Sequence, residues 1–130
     1  MRKVLTTTIM LVSFSVSAFA GTVDGIWSTR EGCEWRLHSK DPNAKTPDNM
    51  FDFMYLTSNG IEGYEWGCNF VKSFDGAYGE AVNIASCSAE GDAWPQMMVT
   101  KQDKDGWNIS ILNDKNEPET VSFPVRCEEK

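Results

Sequence analysis

Apolar and polar residues alternate along most of this chain, and turn-forming residues interrupt the alternation at short intervals. In residues 107–112, one tryptophan and two isoleucines alternate with polar side chains, which is the pattern of a β-strand with one buried face. Asp105-Gly106 precedes this strand, and such a dipeptide readily adopts the positive φ angles of a tight hairpin. The pattern therefore predicts a hairpin whose first strand is residues 94–101. Pro95 cannot donate to a ladder, so we expect it at an edge or a strand start.

The same alternation predicts strands in the rest of the chain. Residues 120–127 place three apolar side chains on one face and extend the hairpin into a meander. Ser58-Asn59-Gly60 is a second hairpin signal. Further predicted strands lie at residues 25–28, 34–38, 51–56, 61–71 and 78–87. About seven or eight strands in sequence favour an all-β fold, a small antiparallel up-and-down β-barrel, because closing the sheet removes its exposed edges.

Two segments depart from the strand pattern. Residues 39–49 contain two prolines and hardly an apolar side chain, so they predict a long exposed loop. Residues 48–55 have an ambiguous apolar spacing that one short helix would also explain. No window shows a sustained helical stripe.

The first twenty residues have the three parts of a secretory signal peptide. A positively charged start leads into an apolar run, and Ala18 and Ala20 occupy the small-residue positions of a cleavage site. The run is too short and too rich in Ser and Thr for a membrane span, which needs roughly 20 mainly apolar residues. The sequence thus predicts a signal peptide at 1–20, a single β domain at 21–130, a periplasmic or secreted location, and no membrane anchor after cleavage.

All four cysteines lie in the predicted domain, and an even number behind a signal peptide indicates disulfide pairs in an oxidising compartment. Zinc is the competing use, but the spacings contain no C-x-x-C pair. Cys68 and Cys87 lie on strands that follow one another around Asp75-Gly76, so they can be neighbours in a meander. Cys33 follows the first strand and Cys127 ends the last, and barrel closure brings those strands together. We therefore expect the pairs Cys68 with Cys87 and Cys33 with Cys127.

Net charge narrows the classes of partner. The chain carries 12 Lys and Arg against 19 Asp and Glu, a formal charge of −7, and losing Arg2 and Lys3 with the leader makes it −9. Binding to nucleic acid or to an anionic membrane through a basic patch is therefore not expected. A basic protein partner is electrostatically favoured.

The residue types needed for catalysis or metal binding are scarce or badly spaced. His38 is the only histidine, and no serine lies in a G-x-S-x-G nucleophile motif. Glu62 and Glu65 are close in sequence, which alone falls short of a glycosidase site. Residues 103–106 resemble a calcium loop, but its register would put a lysine and a leucine where the metal needs carboxylates. We predict a protein that is not an enzyme and that has no catalytic residue, cofactor or metal site.

Five tryptophans in so short a chain are either core residues or parts of a binding surface. Four of them are expected in the core or on strand faces. Trp94 differs, because it lies beside a proline at a predicted strand start and is followed by two methionines. We predict Trp94, Met97 and Met98 as a contact patch.

Gly25-Ile26-Trp27 resembles the G-x-W opening of lipocalin-like and other calycin barrels, in which the tryptophan closes one barrel end. The wider pattern resembles small exported four-cysteine β proteins of Gram-negative bacteria. It includes a cysteine followed by a small residue, Glu and Gly, which here are Cys87, Ala89, Glu90 and Gly91. It also includes a closing Arg-Cys, here Arg126-Cys127. This resemblance implies an envelope location and a small lipocalin-like barrel, without a particular activity.

The opening is also similar to that of periplasmic metalloprotease inhibitors, which combine G-x-W with a nearby cysteine and insert an N-terminal arm into the protease. This chain departs from that pattern, because only residues 21–24 of the predicted domain precede Gly25 and two further cysteines are present.

These observations lead to one expected function and two alternatives. We expect a non-enzymatic periplasmic or secreted binding protein that engages a protein partner. The first alternative is a periplasmic inhibitor of a protease or lysozyme, with residues 39–49 as its protruding loop. The second is a carrier of a small hydrophobic ligand, which needs an empty apolar cup inside the barrel.

Overall fold

The computed structural model describes residues 22–112 and 115–128, so the predicted leader at 1–20 lies outside the described residues. Strands dominate the described chain. In chain order the elements are β1 Trp27–Ser28, α1 Arg30–His38, a 3-10 helix Met50–Asp52, β2 Tyr55–Thr57, β3 Gly60–Glu62, β4 Trp66–Asp75, β5 Ala81–Ala89, β6 Asp92–Asp103, β7 Gly106–Leu112, β8 Pro118–Phe123 and β9 Val125–Arg126.

The strands of the described chain form one antiparallel sheet that closes on itself as a nearly complete barrel. Strands β2 to β8 pair in chain order, and β1 pairs with both β2 and β9. Pro124 alone separates β8 from β9, so the last stretch of chain passes from one edge of the sheet to the other. Proline has no N–H to donate, and the ladder is interrupted there. The predicted small antiparallel barrel is confirmed, with nine strands.

The predicted hairpins are confirmed as well. β6 and β7 pair in register as far as Asp103 with Gly106, and β2 and β3 pair around Ser58-Asn59. Pro95 lies in the part of β6 that precedes the residues paired with β7, so β6 pairs there with β5 on one side. The other side of β6 is a sheet edge at this position, as expected for proline. The strand predicted at 61–71 is divided into β3 and β4, which are separated by three residues.

The structure corrects one predicted strand, because residues 34–38 belong to α1. Thr29 caps this helix by accepting a hydrogen bond from the Gly32 N–H at 3.1 Å. At the other end the Ser39 N–H donates to the Trp35 carbonyl at 2.7 Å. A nine-residue helix with few apolar residues has no clear stripe, and the 3.6-residue period therefore does not stand out in the sequence.

The segment between α1 and β2 agrees with the expectations. Residues 39–49 form a loop that is mostly exposed. The short helix considered within 48–55 is the 3-10 turn at Met50–Asp52.

Side chains on the inward faces of the strands make a single core. Leu56, Ile109 and Phe123 are its largest almost fully buried members. The other buried residues of the cluster are Val23, Ile61, Cys68, Ala85, Cys87, Met98 and Trp107. Nε1 of Trp107 is the one buried side-chain polar atom of the described chain that lacks a hydrogen-bond partner.

Both predicted disulfides are present. Cys68 and Cys87 are directly opposed on β4 and β5, with 3.9 Å between their Cα atoms. Cys33 in the first turns of α1 is bonded to Cys127 just after β9, with a Cα separation of 5.0 Å. The Cys127 N–H also donates to the Ile26 carbonyl at 2.7 Å, so this bridge lies directly beside the closing pair of strands. Such disulfides indicate an oxidising compartment, extracellular or periplasmic.

Replacing Gly60 with alanine should destabilise the protein far more than the same change at Gly79. Both glycines have positive φ, +147° and +82°, and such sparsely populated backbone conformations cost an L-residue about 1–3 kcal/mol. At Gly60 a Cβ would also collide with the Cys68 carbonyl, whereas at Gly79 it would meet nothing within 4 Å. We expect a loss of about 3 kcal/mol or more at Gly60, measured by chemical denaturation. Equal losses in the two variants would contradict the close approach of β3 to β4.

Removing the Cys33–Cys127 bridge should cost more free energy of unfolding than removing Cys68–Cys87. The sequence separations are 94 and 19 residues. Chain entropy then gives losses of about 4.5 and about 3 kcal/mol for the double alanine variants. Denaturant titration of each variant measures these losses, and a larger loss for Cys68→Ala/Cys87→Ala would contradict the ranking.

Candidate functional site

A cavity of about 290 Å³ opens at the barrel end where Glu90-Gly91 joins β5 to β6. We call it the cup. Its lining is Met54, Ile61, Trp66, Cys68, Cys87, Trp94, Gln96, Met98, Ile109, Ile111, Leu112, Val121 and Phe123. Apart from Gln96, every lining side chain is apolar or part of the Cys68–Cys87 disulfide.

Strand alternation explains why these side chains meet. On β6 the residues Trp94, Gln96 and Met98 share the inward face, with Trp94 nearest the open end. Ile109 and Ile111 occupy the same face of β7. The cup is therefore the upper part of the barrel interior, and the packed core continues below it.

The opposite end of the barrel holds a smaller cavity, of about 190 Å³, beside buried side chains. Val23, from the segment before β1, is buried and packs with the core cluster. Near it, Nδ2 of the buried Asn83 donates to Thr100 Oγ1 at 3.0 Å, and Oδ1 accepts from Ser73 Oγ at 2.6 Å. Because both sides of this amide are hydrogen-bonded, Asn83 and Thr100 can be buried, while Ser73 is exposed. Val23, Asn83 and Thr100 form the floor of the interior.

Gln96 is the polar group of the cup. Its Nε2 donates to the Met97 carbonyl at 3.2 Å. Within the described chain Oε1 of Gln96 accepts no hydrogen bond, and no charged side chain is among the described residues that line the cavity. The cup therefore offers an apolar wall with one hydrogen-bonding position.

Two indoles lie near the entrance. Trp94 is 40% exposed and Trp66 is half-buried. Gly63 packs so closely on the Trp66 indole that a Cβ there would collide with the ring. The connection between β3 and β4 is held in turn by Tyr64, whose ring meets Phe51 edge-on with centroids 4.7 Å apart. The loop that precedes β2 thus contacts the rim of the cup.

The structure separates the three residues of the predicted contact patch. Trp94 and Met98 face the cup, and Met98 is only 3% exposed. Met97 lies on the outer face of β6 and is 57% exposed. The sequence singled out this strand but did not show that the barrel interior is open. The signal for a polar group inside the barrel was Gln96, at the inward position between Trp94 and Met98.

A second concavity, of about 570 Å³, lies between α1 and the loop at 39–49. We call it the groove. Trp35 and the buried Phe53 form its apolar part, Glu31, Glu34 and Asp41 contribute carboxylates, and Lys45 contributes one positive charge. One of the carboxylates is already engaged, because Asn49 Nδ2 donates to Glu31 Oε2 at 3.3 Å.

The residues considered for catalysis do not assemble. His38 is exposed at the end of α1 and borders the groove. Glu62 is exposed on β3, and Glu65 lies in the following connection with a left-handed φ of 60°. Among the described residues no group of three His, Cys, Asp or Glu side chains could hold a metal ion. The described helices also include none with the length and apolar character of a membrane span.

Comparison with protein-family models, with curated proteins and with solved structures finds no match to this chain. The fold and the cavity therefore define the class of protein on their own terms: a small disulfide-bonded antiparallel barrel with an open apolar cup.

Tyr55 fastens α1 to the barrel. Its hydroxyl donates to the Gly32 carbonyl at 2.8 Å, and the Arg36 guanidinium lies 5.3 Å from the ring centroid. Burial raises the pKa of Tyr55 above its ordinary value of 10.0, and the positive charge of Arg36 opposes this only partly.

The Tyr55→Phe variant should lose about 1 kcal/mol of stability at neutral pH, because one intramolecular hydrogen bond disappears. Since the pKa is higher in the folded state, the contribution of Tyr55 is complete below pH 10 and is lost as the pH rises through the folded pKa. Denaturation at pH 7 and pH 11 measures both effects. The wild type should lose more stability between these pH values than the variant, and an equal loss would contradict the assignment.

Proposed function

We propose that the protein binds a small, mainly apolar molecule in the open end of its barrel. The observation that carries this proposal is the cup: a cavity of about 290 Å³ with an apolar wall and one polar side chain. Ligand sites are concave, mainly apolar and supplied with a few polar groups, and this volume is at the lower limit of their usual range of roughly 300–1,000 Å³. The function is binding, without a chemical step.

The free energy of the exposed apolar surface in the cup favours a bound ligand. Trp66, Ile111 and Val121 face the interior and yet remain only half-buried. Apolar surface left in contact with water costs about 25 cal/mol per Å², and a ligand that covers this wall recovers that free energy. The carrier alternative of the sequence analysis therefore ranks above a protein partner, because its structural requirement, an open apolar cup, has a counterpart in the barrel.

The proposed place of action is the periplasm or the extracellular space. The two disulfides indicate an oxidising compartment. We propose that residues 1–20 direct export and are removed, as their three-part pattern and the resemblance to small exported four-cysteine proteins imply.

Partly filling the cup should weaken ligand binding strongly, whereas the same substitution on the outer surface should not. Val121 lines the cup and Val71 is 71% exposed on the outside. We expect Val121→Trp to weaken binding of 1-nonanol at least tenfold in calorimetric titration, because the indole occupies part of the space, and Val71→Trp to leave it within twofold.

Circular dichroism and the unfolding midpoint must show that both variants are folded. Equal binding by the folded Val121→Trp variant, or no binding by the wild type, would contradict the proposed function.

A second candidate function is inhibition of a basic hydrolase through the groove. It is supported by the concave shape, by a groove lining with three carboxylates against one lysine, Lys45, and by the acidic chain, since opposite charge accelerates association.

The second candidate predicts inhibition of a basic lysozyme that weakens with added salt. The double variant Glu31→Gln/Glu34→Gln should reduce the inhibition severalfold, because it removes two of the groove carboxylates. Glu90→Gln/Asp92→Asn changes charge equally outside the groove and serves as the control. If the wild type did not inhibit the lysozyme at low salt, inhibition of lysozyme as a function of this protein would be contradicted.

A further inference from the structure

We infer that the ligand of the cup is an uncharged amphiphile of about ten non-hydrogen atoms whose polar end carries a hydroxyl-type group. This inference rests on the proposed function and specifies the chemical class of the molecule bound.

The charge of the ligand follows from the wall. None of the described residues that line the cup carries a charge, so an ionised group drawn inside would lose its hydration without gaining a partner. The acidic character of the chain, with a formal charge of −7, adds repulsion for an anion. A fatty-acid carboxylate is therefore a poor occupant, and a neutral molecule is the favoured one.

The polar end of the ligand follows from Gln96. This residue lies one inward position below Trp94 and one above Met98 on β6. Its Nε2 is engaged by the Met97 carbonyl while Oε1 has no partner in the described chain. The Met97 carbonyl fixes the orientation of the amide, because turning it over would bring two acceptor oxygens together. A hydroxyl can donate to Oε1 while remaining uncharged.

The size of the ligand follows from the volume. A water-sized group occupies about 30 Å³ in a condensed liquid, so a cavity of about 290 Å³ holds about ten such groups. With the hydroxyl at Gln96, the apolar part lies against the half-buried wall of Trp66, Ile111 and Val121, above the packed core to which Met98 and Ile109 belong.

Probes that all have ten non-hydrogen atoms separate these statements. We would titrate the full mature protein at pH 7 with 1-nonanol, octanoate, nonylammonium and butylbenzene, and follow heat and tryptophan fluorescence. We expect 1-nonanol to bind at least tenfold more tightly than octanoate and nonylammonium. In the alcohol series the affinity should rise by about fourfold per methylene up to 1-nonanol and then level off.

The polar contact has its own variant. Gln96→Leu should weaken 1-nonanol about fivefold, because the hydroxyl loses its partner, and should leave butylbenzene unchanged or tighter. Circular dichroism checks that the variant is folded, and Val71→Trp serves as a control in which all four probes should bind as they do to the wild type.

The outcomes separate this inference from the proposed function. Binding of octanoate or nonylammonium as tight as that of 1-nonanol, or affinity that keeps rising for alcohols well beyond ten non-hydrogen atoms, would overturn the inference while the cup remained a binding site. Equal weakening of 1-nonanol and butylbenzene by Gln96→Leu would overturn the role of the hydroxyl. Failure of all four probes to bind would contradict the proposed function itself.

Discussion

The pairing of β1 with β9 is the constraint on which the rest of the structure depends. Only two residue pairs make this contact, Trp27 with Arg126 and Ser28 with Val125. So short a ladder is weak alone, and two neighbouring interactions reinforce it: the Cys33–Cys127 disulfide and the hydrogen bond from the Cys127 N–H to the Ile26 carbonyl. Without this pair the barrel would open along β1 and the inward faces of the sheet would lose their enclosure.

Closure of the sheet determines where a cavity can exist. The closed sheet surrounds the interior of the barrel, and the side chains inside it differ between the two ends. At the floor, Val23, Asn83 and Thr100 are buried, and a smaller cavity of about 190 Å³ remains beside them. Nothing in the described chain occupies the corresponding space at the other end, where the half-buried Trp66 faces it. The cup is thus the unfilled part of a core.

Much of the fold could be predicted from the sequence because a period of two and Gly-containing turns are local signals, and the disulfide pairing followed from strand order. α1 was missed, since a nine-residue helix capped by Thr29 has no clear apolar stripe. The cup could not be predicted either. Met98 at the bottom of the cup and Ile111 on its wall are both apolar residues at alternating strand positions, and only the closed geometry shows which inward positions are left uncovered. Met97 and Met98 are adjacent in sequence but lie on opposite faces of the barrel wall.

Met54, Met97 and Met98 provide the most direct test of the central claim, that the open end of the barrel is a binding cavity. Met54 and Met98 line the cup, and Met97 is exposed on the outer surface of the same strand as Met98. In the protein labelled with ¹³C at the methionine methyl groups, titration with 1-nonanol should shift the Met54 and Met98 signals and leave the Met97 signal in place. Shifts confined to Met97, or no shift at Met54 and Met98 at saturating alcohol, would contradict the account.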